Sequence, residues 1–298
     1  MVTRGTVLER EGGTYRVLTQ EGEVRAALRG RVKRGAPKVV VGDRVTLEAG
    51  GVGLWAIAAV EDRASLLARR VPGGRGLRPV VANVDQVVVV TAARDPDPVP
   101  QLVDRLLVVA EAWHLPALLV VNKADLADGG ALAARFHAAG YPILRTSAVR
   151  GDGLAGLRAA LGGRESVVTG PSGAGKSSLL NALQPGFRLR IGAVSERVGR
   201  GRHTTVGAVM LPFEGGFVVD TPGFSEVGLW GVTPGELARC FPELRARSES
   251  CRFGDCRHRA EPGCAVRAAV AAGEVPADRH ASYLALLGEL EALPEDWE

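Results

Sequence analysis

The chain has 298 residues, enough for two domains or three small ones, and 46% of them are apolar, enough to bury a sizeable core. Charged residues at 23% argue against global disorder, and a net charge of +4 permits a nucleic-acid partner without demonstrating one. No apolar run approaches the ~18 residues that cross a bilayer, and the opening MVTRGTVLEREGG has no continuous apolar stretch of a secretory signal, so a cytoplasmic location with reduced thiols is expected.

Residues 1–65 carry short alternating runs (TVLER, TYRVLTQ, EVRAALRG, DRVTLEAG, GLWAIAAVE) separated by Gly-rich turns. Five short strands fit a small OB-fold-like β-barrel, with an SH3-like barrel as the rival on pattern alone. Residues 66–82 contain Pro72, Gly73, Gly74, Gly76 and Pro79, four arginines and no acidic residue, and read as a linker. Over 83–228, apolar runs (QVVVVTAA, PALLVVNKAD, YPILRTSA, SVVTG, GFVVDTPG) alternate with Ala/Leu-rich helical stretches. That alternation predicts an α/β unit, a parallel sheet covered by helices. Residues 229–298 pair an Arg- and Cys-containing loop with a helical tail bearing Tyr283, Leu284, Leu287 and Leu290.

Within the α/β unit the first motif is Asn122-Lys123-Ala124-Asp125, after the run Leu118–Val121. A carboxylate at Asp125 can accept from both N1–H and the exocyclic amine of guanine, a pair of donors that adenine lacks. Thr146-Ser147-Ala148 follows the next apolar run and resembles the short loop that backs a guanine; without that context the tripeptide means nothing.

The strongest signal comes next. Gly170, Pro171, Ser172, Gly173, Ala174, Gly175, Lys176 and Ser177 match G-x-x-x-x-G-K-[ST], and Ser178 continues into a helical stretch. Glycines let such a loop turn its backbone N–H groups onto phosphate oxygens. Lys176 is expected on the β- and γ-phosphates and the Ser177 hydroxyl on magnesium. Residues 188–202 hold five arginines and one glutamate, readable as a first switch or as a solvated basic loop. Thr205 is the expected switch ligand of magnesium, with Thr204 as its rival. Asp220-Thr221-Pro222-Gly223 ends the run Gly216–Val219; Asp220 suits a second magnesium-side carboxylate and Gly223 a backbone N–H that senses the γ-phosphate. Common GTPases run phosphate loop, switch threonine, D-x-x-G, N-K-x-D; here N-K-x-D and T-S-A come first, so the order is circularly permuted.

Asn122-Lys-Ala-Asp125, Gly170–Ser178, Gly201-Arg-His-Thr-Thr205, Asp220-Thr-Pro-Gly-Phe224 and a cysteine cluster together resemble the RsgA/YjeQ family of bacterial ribosome small-subunit-dependent GTPases. The resemblance covers nearly the whole chain: β-barrel, permuted GTPase domain, zinc-bearing C-terminal domain. It implies hydrolysis of GTP to GDP and phosphate during late maturation of the 30S subunit, slow alone and stimulated by the ribosome. The partners implied are the 30S subunit with its 16S rRNA, for a chain expected to be monomeric. The alternative is an RNA-binding assembly factor that uses GTP only as a conformational ligand.

The cluster is Cys251, Cys256, His258 and Cys264. Three thiolates and one imidazole close a tetrahedral shell, so the zinc expected there is structural and a zinc hydrolase is disfavoured. Cys240, 11 residues before Cys251, is read as a buried or free thiol. Two departures bear on catalysis. Relatives often carry a histidine after the Leu-Trp that follows the second switch, whereas Leu229-Trp230 here precedes Gly231. Phe224 stands where Ras-like enzymes have a water-orienting glutamine, which leaves His203 as a weak substitute.

Overall fold

In a computed structural model, the described residues are 2–29, 38–50, 53–70, 77–187, 189, 208–220, 228–229 and 231–292. Strands β1 (Val2–Glu11), β2 (Thr14–Thr19), β3 (Gly22–Leu28), β4 (Arg44–Ala49) and β5 (Trp55–Val60) close a barrel in the order β1-β2-β3-β5-β4. Within this barrel, among the described residues, only β3 and β5 pair in parallel. Alternate residues point inward, so Tyr15 and Val17 of β2 and Val45 and Leu47 of β4 fill the interior with Val7, Ala26 and Ile57. A register shift in β1 between Val7 and Glu9 breaks this alternation. The consecutive Val7 and Leu8 are therefore both buried, Val7 in the barrel and Leu8 in the core of the next unit.

The segment expected to be a linker contains an antiparallel ribbon, β6 (Leu66–Arg70) with β7 (Leu77–Ala82). A two-stranded ribbon is marginal alone. This one buries Leu67 and Val81 in the core of the α/β unit, and Val41 bridges Val81. Asn83 fastens its base: the side-chain amide donates to Gly42 O (2.8 Å) and its Oδ1 accepts from Ala64 N (2.9 Å).

The α/β unit is built on β8 (Gln86–Ala92), β9 (Ala117–Asn122), β10 (Ile143–Arg145), β11 (Glu165–Thr169), β12 (Val209–Phe213) and β13 (Gly216–Asp220). They form one sheet in the order β10-β9-β8-β11-β13-β12, parallel except for β12. Helices α1 (Pro100–Ala112) and α2 (Gly130–Ala138) cover the face bearing Val87, Val89, Leu119, Val121 and Val167. Helices α3 (Leu154–Leu161) and α4 (Lys176–Leu183) cover the face bearing Val88, Val90, Val120 and Val168. Both faces are buried, which is why the strands read as unbroken valine runs. The barrel joins this unit through Leu8 and Val41, which share a core with Met210 of β12.

The C-terminal part carries a short 3-10 turn at Leu237–Cys240, then α5 (Pro242–Ser248), α6 (Ala265–Ala271) and α7 (Ala277–Ala292). Tyr283, Leu286, Leu287 and Leu290 recur at helical spacing on α7 and pack with Phe241, Leu244 and Val266. That core also takes in Val108 of α1, so the tail is docked on the α/β unit. Among the described residues no helix is long and apolar enough to cross a membrane.

Candidate functional site

The carboxyl ends of β9, β10, β11 and β13 bring Asn122, Thr146, Gly170 and Asp220 to one edge of the sheet. Open parallel sheets bind ligands at that edge. The loop after β11 turns sharply back onto β8. Gly170 sits at φ 145°, and a Cβ there would lie 1.9 Å from Val90 O. Gly175 sits at φ 89°, where a Cβ would meet the Asn122 amide nitrogen at 2.3 Å. These two positions accept glycine for both conformation and space. Ala174 between them is buried, while Ser172 and Gly173 face outward. Lys176, Ser177 and Ser178 form the first turn of α4 and are half-buried. Lys176 Nζ folds back over the loop and donates to Gly170 O (2.7 Å) and Pro171 O (3.0 Å). Burial holds its ammonium below the usual lysine value, and the nearby Asp220 carboxylate opposes that shift.

A second set of bonds ties the Asn122–Asp125 loop to its neighbours. The buried Asn122 donates to Ala174 O (2.9 Å) and accepts from Thr146 Oγ1 (3.2 Å). Ala124 N donates to Thr146 O (3.0 Å). Ser147 Oγ donates to Asp125 Oδ1 (2.6 Å) and accepts from Arg150 N (3.0 Å). The Ser147 bond is the main reason the Asp125 carboxyl lies below the ordinary aspartate value; Arg150 and Lys123 add to the effect. Ala148, the last of its tripeptide, is half-buried beside them.

Thus Asn122, Lys123, Asp125, Ser147, Ala148, Gly170–Ser178 and Asp220 converge at one edge, although they come from chain segments nearly 100 residues apart. Thr204, Thr205, His203, Gly223 and Phe224 lie outside the described residues. Arg150 is an addition that sequence reasoning missed; no motif marks it.

The cysteine cluster forms a second centre. The ligand atoms of Cys251, Cys256, His258 and Cys264 all lie within 4.8 Å of one another. Cys251 Sγ is 3.9 Å from Cys264 Sγ, and His258 Nδ1 is 3.6 Å and 3.4 Å from those two sulfurs. Tetrahedral zinc with bonds of about 2.3 Å to sulfur and about 2.0 Å to nitrogen needs edges of about 3.8 Å and about 3.5 Å, which the Cys251, His258 and Cys264 distances match, with Cys256 within 4.8 Å as the fourth donor. Ser248 decides which imidazole nitrogen is free. Its hydroxyl donates to Leu244 O (2.8 Å), so at 3.2 Å from His258 Nε2 it accepts. Nε2 therefore carries the proton and Nδ1 turns its lone pair to the sulfurs. Burial also favours the neutral ring. Cys240 stands apart, buried and bonded to Glu236 O (3.7 Å), with burial and the nearby Glu111 and Glu236 pushing its thiol up to about 12.

The family model of the RsgA GTPase matches residues 60–230. The small ribosomal subunit biogenesis GTPase RsgA of Gemmatimonas aurantiaca is 53% identical over 97% of this chain and 97% of its own. Its counterpart from Moorella thermoacetica is 44% identical, again over 97% of each chain. Among solved structures, YjeQ from Thermotoga maritima superposes with a TM-score of 0.81 at 35% identity, covering 99% of this chain and 100% of that one. YloQ, described as a circularly permuted GTPase, superposes with a TM-score of 0.79 at 29% identity, over 99% and 97%.

Proposed function

This chain belongs to the RsgA GTPase family, and from that premise we propose that it binds GTP at the carboxyl edge of the α/β sheet and hydrolyses it to GDP and phosphate on the small ribosomal subunit. The observation that carries the reading is the joining of two loops by Asn122. One side of that bond presents Asp125, held by Ser147; the other presents the Gly170–Ser177 loop and Lys176.

Asp125 would accept the two adjacent N–H donors of guanine, with Ser147 and Ala148 behind the base. The backbone N–H groups of the loop would surround the phosphates. On nucleotide entry Lys176 exchanges the carbonyls of Gly170 and Pro171 for the β- and γ-phosphates, trading neutral acceptors for charged ones. Ser177, Asp220 and Thr205 are the residues proposed to hold magnesium, which would supply positive charge beside the phosphates. Gly223 is proposed as the γ-phosphate sensor. Zinc in the Cys251, Cys256, His258, Cys264 cluster has no open position and would be structural.

Arginines of the barrel, of the 188–202 segment and of the tail (Arg252, Arg257, Arg259) are proposed to meet 16S rRNA in the cytoplasm. Phosphate release measured with and without 30S subunits tests the reading. The expected result is slow turnover alone and strong stimulation by 30S but not 50S subunits. Stimulation should fade as salt weakens the contact, and Lys176→Ala should abolish turnover without loss of far-UV dichroism. Equal turnover with and without 30S subunits, at low salt and saturating GTP, would overturn the ribosome-stimulated reading; GTP binding with no turnover in either case would leave the assembly factor that uses GTP only as a conformational ligand.

A further inference from the structure

The loop that joins β8 to α1 opens at the centre of the nucleotide edge, because β8 lies between β9 and β11 in the sheet. Ala93 N donates to Asn122 O (2.7 Å), which fixes where the loop begins. Residues 94–97 (Arg-Asp-Pro-Asp) then form an exposed turn with Asp95 at φ 50°.

Two contacts place this turn against both halves of the site. A methyl built on Gly173 would lie 3.0 Å from Pro96 Cδ and 3.5 Å from its Cγ, so the ring stands directly over the phosphate loop. Lys123 approaches from the other side. Its Cε is 3.8 Å from a Cβ built on Gly175, so the stem crosses the same loop, and its Nζ donates to the backbone carbonyl of Asp95. Pro96 thus abuts the loop at Gly173, Lys123 abuts it at Gly175, and the Lys123–Asp95 bond links the two.

We propose that the Asp95–Pro96 turn is a positioning element of the nucleotide site, with Pro96 propping the Gly173 backbone and the Asp95 carbonyl anchoring Lys123. The proposal rests on the nucleotide reading above. Its physical basis is preorganisation. Gly170, Gly173 and Gly175 all adopt positive φ, and a loop so rich in glycine loses much conformational freedom when it orders around phosphates. A rigid proline ring against Gly173 restricts the loop beforehand. Lys123 tethered to the same turn keeps the base-reading loop at a constant distance from the phosphate loop. A ligand that spans two such loops leaves slowly when neither can swing away, so the effect falls mainly on dissociation.

The test is Pro96→Ala, read by stopped-flow release of a fluorescent GDP analogue from the full chain, beside the melting temperature without nucleotide. The expected result is release faster by about fivefold or more, equivalent to ~1 kcal/mol, with the melting temperature retained. KM for GTP should rise more than kcat falls. Gly173→Ala supplies a second arm: its added methyl meets Pro96, so its cost to GDP affinity should shrink in the Pro96→Ala background. Asp97→Asn removes a charge from the turn and leaves the contacts alone, so release should not change. Unchanged release in Pro96→Ala overturns the proposal, as does faster release accompanied by a matching loss of melting temperature. Release as fast in Asp97→Asn as in Pro96→Ala would overturn it, because the effect would then follow any change to the turn rather than the contact of the proline ring. Failure of the unaltered chain to bind GDP would instead overturn the nucleotide reading itself.

Discussion

At the scale of single residues, the pair Asp125–Ser147 concentrates the base chemistry. The Ser147 hydroxyl donates its only proton to Asp125 Oδ1 and so restrains the carboxylate. Asp125→Asn replaces an acceptor by an amide that suits xanthine, so guanine nucleotide affinity should fall about tenfold or more while xanthosine nucleotides gain. Calorimetric titration with GDP and XDP checks both halves. The pH sign follows from the lowered carboxyl. A depressed carboxylate keeps its charge to lower pH, and what depends on that charge is lost as pH falls through the folded-state value. Ser147→Ala removes the largest cause of the depression. The pH at which GDP binding fails on acidification should therefore move upward, by titration of affinity against pH. An unmoved acid limb would mean that another group sets it.

At the scale of elements, the cysteine cluster joins α5 to α6 through a loop that buries little apolar surface of its own. His258 and Cys264 are buried, yet Cys256 is half-buried and the residues around it, Phe253 to Asp255, are exposed. Such a segment gains most of its order from the metal. Protein prepared without chelator should contain about one zinc per chain by elemental analysis, since the donor set fits one tetrahedral ion. Stripping it should expose the 249–264 loop to protease well before the α/β unit is cut. Ser248 is the outer partner of the ligand histidine. Ser248→Ala frees the tautomer and is expected to weaken zinc about 10–100-fold, read by competition with a chromophoric chelator. Unchanged affinity would show that the loop and the packing against Tyr283 fix the ring without Ser248.

At the scale of the whole molecule, a buried ionic knot holds the tail to the α/β unit. Arg279 of α7 is 1% exposed and bonds both Glu243 of α5 and Asp104 of α1. Asp104, fully buried, also accepts from Arg135 of α2 (2.7 Å). The guanidinium stacks over Phe241 at 4.7 Å and lies near Phe136 and Tyr141. Arg279→Ala leaves Glu243 buried without its cation and Asp104 with Arg135 alone, a change that costs roughly 3–5 kcal/mol. Chemical denaturation should show that loss, and a change below ~1 kcal/mol would mean that the network opens to water. In the permuted order β13 is followed by the tail, and Leu229 and Val232 already belong to the tail's core.

The nucleotide and metal motifs were legible because each needs its chemical groups within a few residues: Gly170–Ser178 as one loop, Asn122–Asp125 as another, three cysteines and a histidine within 14 positions. The valine runs and the alternating barrel strands were legible for the same reason, since period and burial are local properties. Other features arise only between distant segments. The segment 66–82 reads as a linker by composition, yet its strands at 66–70 and 77–82 pair because Leu67 and Val81 enter a core supplied by other strands. Ser248 carries no motif and gains its role from an imidazole ten residues on; Pro96 gains its own from a glycine 77 residues away. Arg279 would be costly to bury on its own helix and is tolerated because Asp104, 175 residues earlier, folds to meet it. The amino-acid order by itself determined which chemical groups the chain carries and the local backbone that presents them. Tertiary structure decided which groups meet, because a contact between remote residues is set by the packing of whole elements and leaves no periodic trace in either segment.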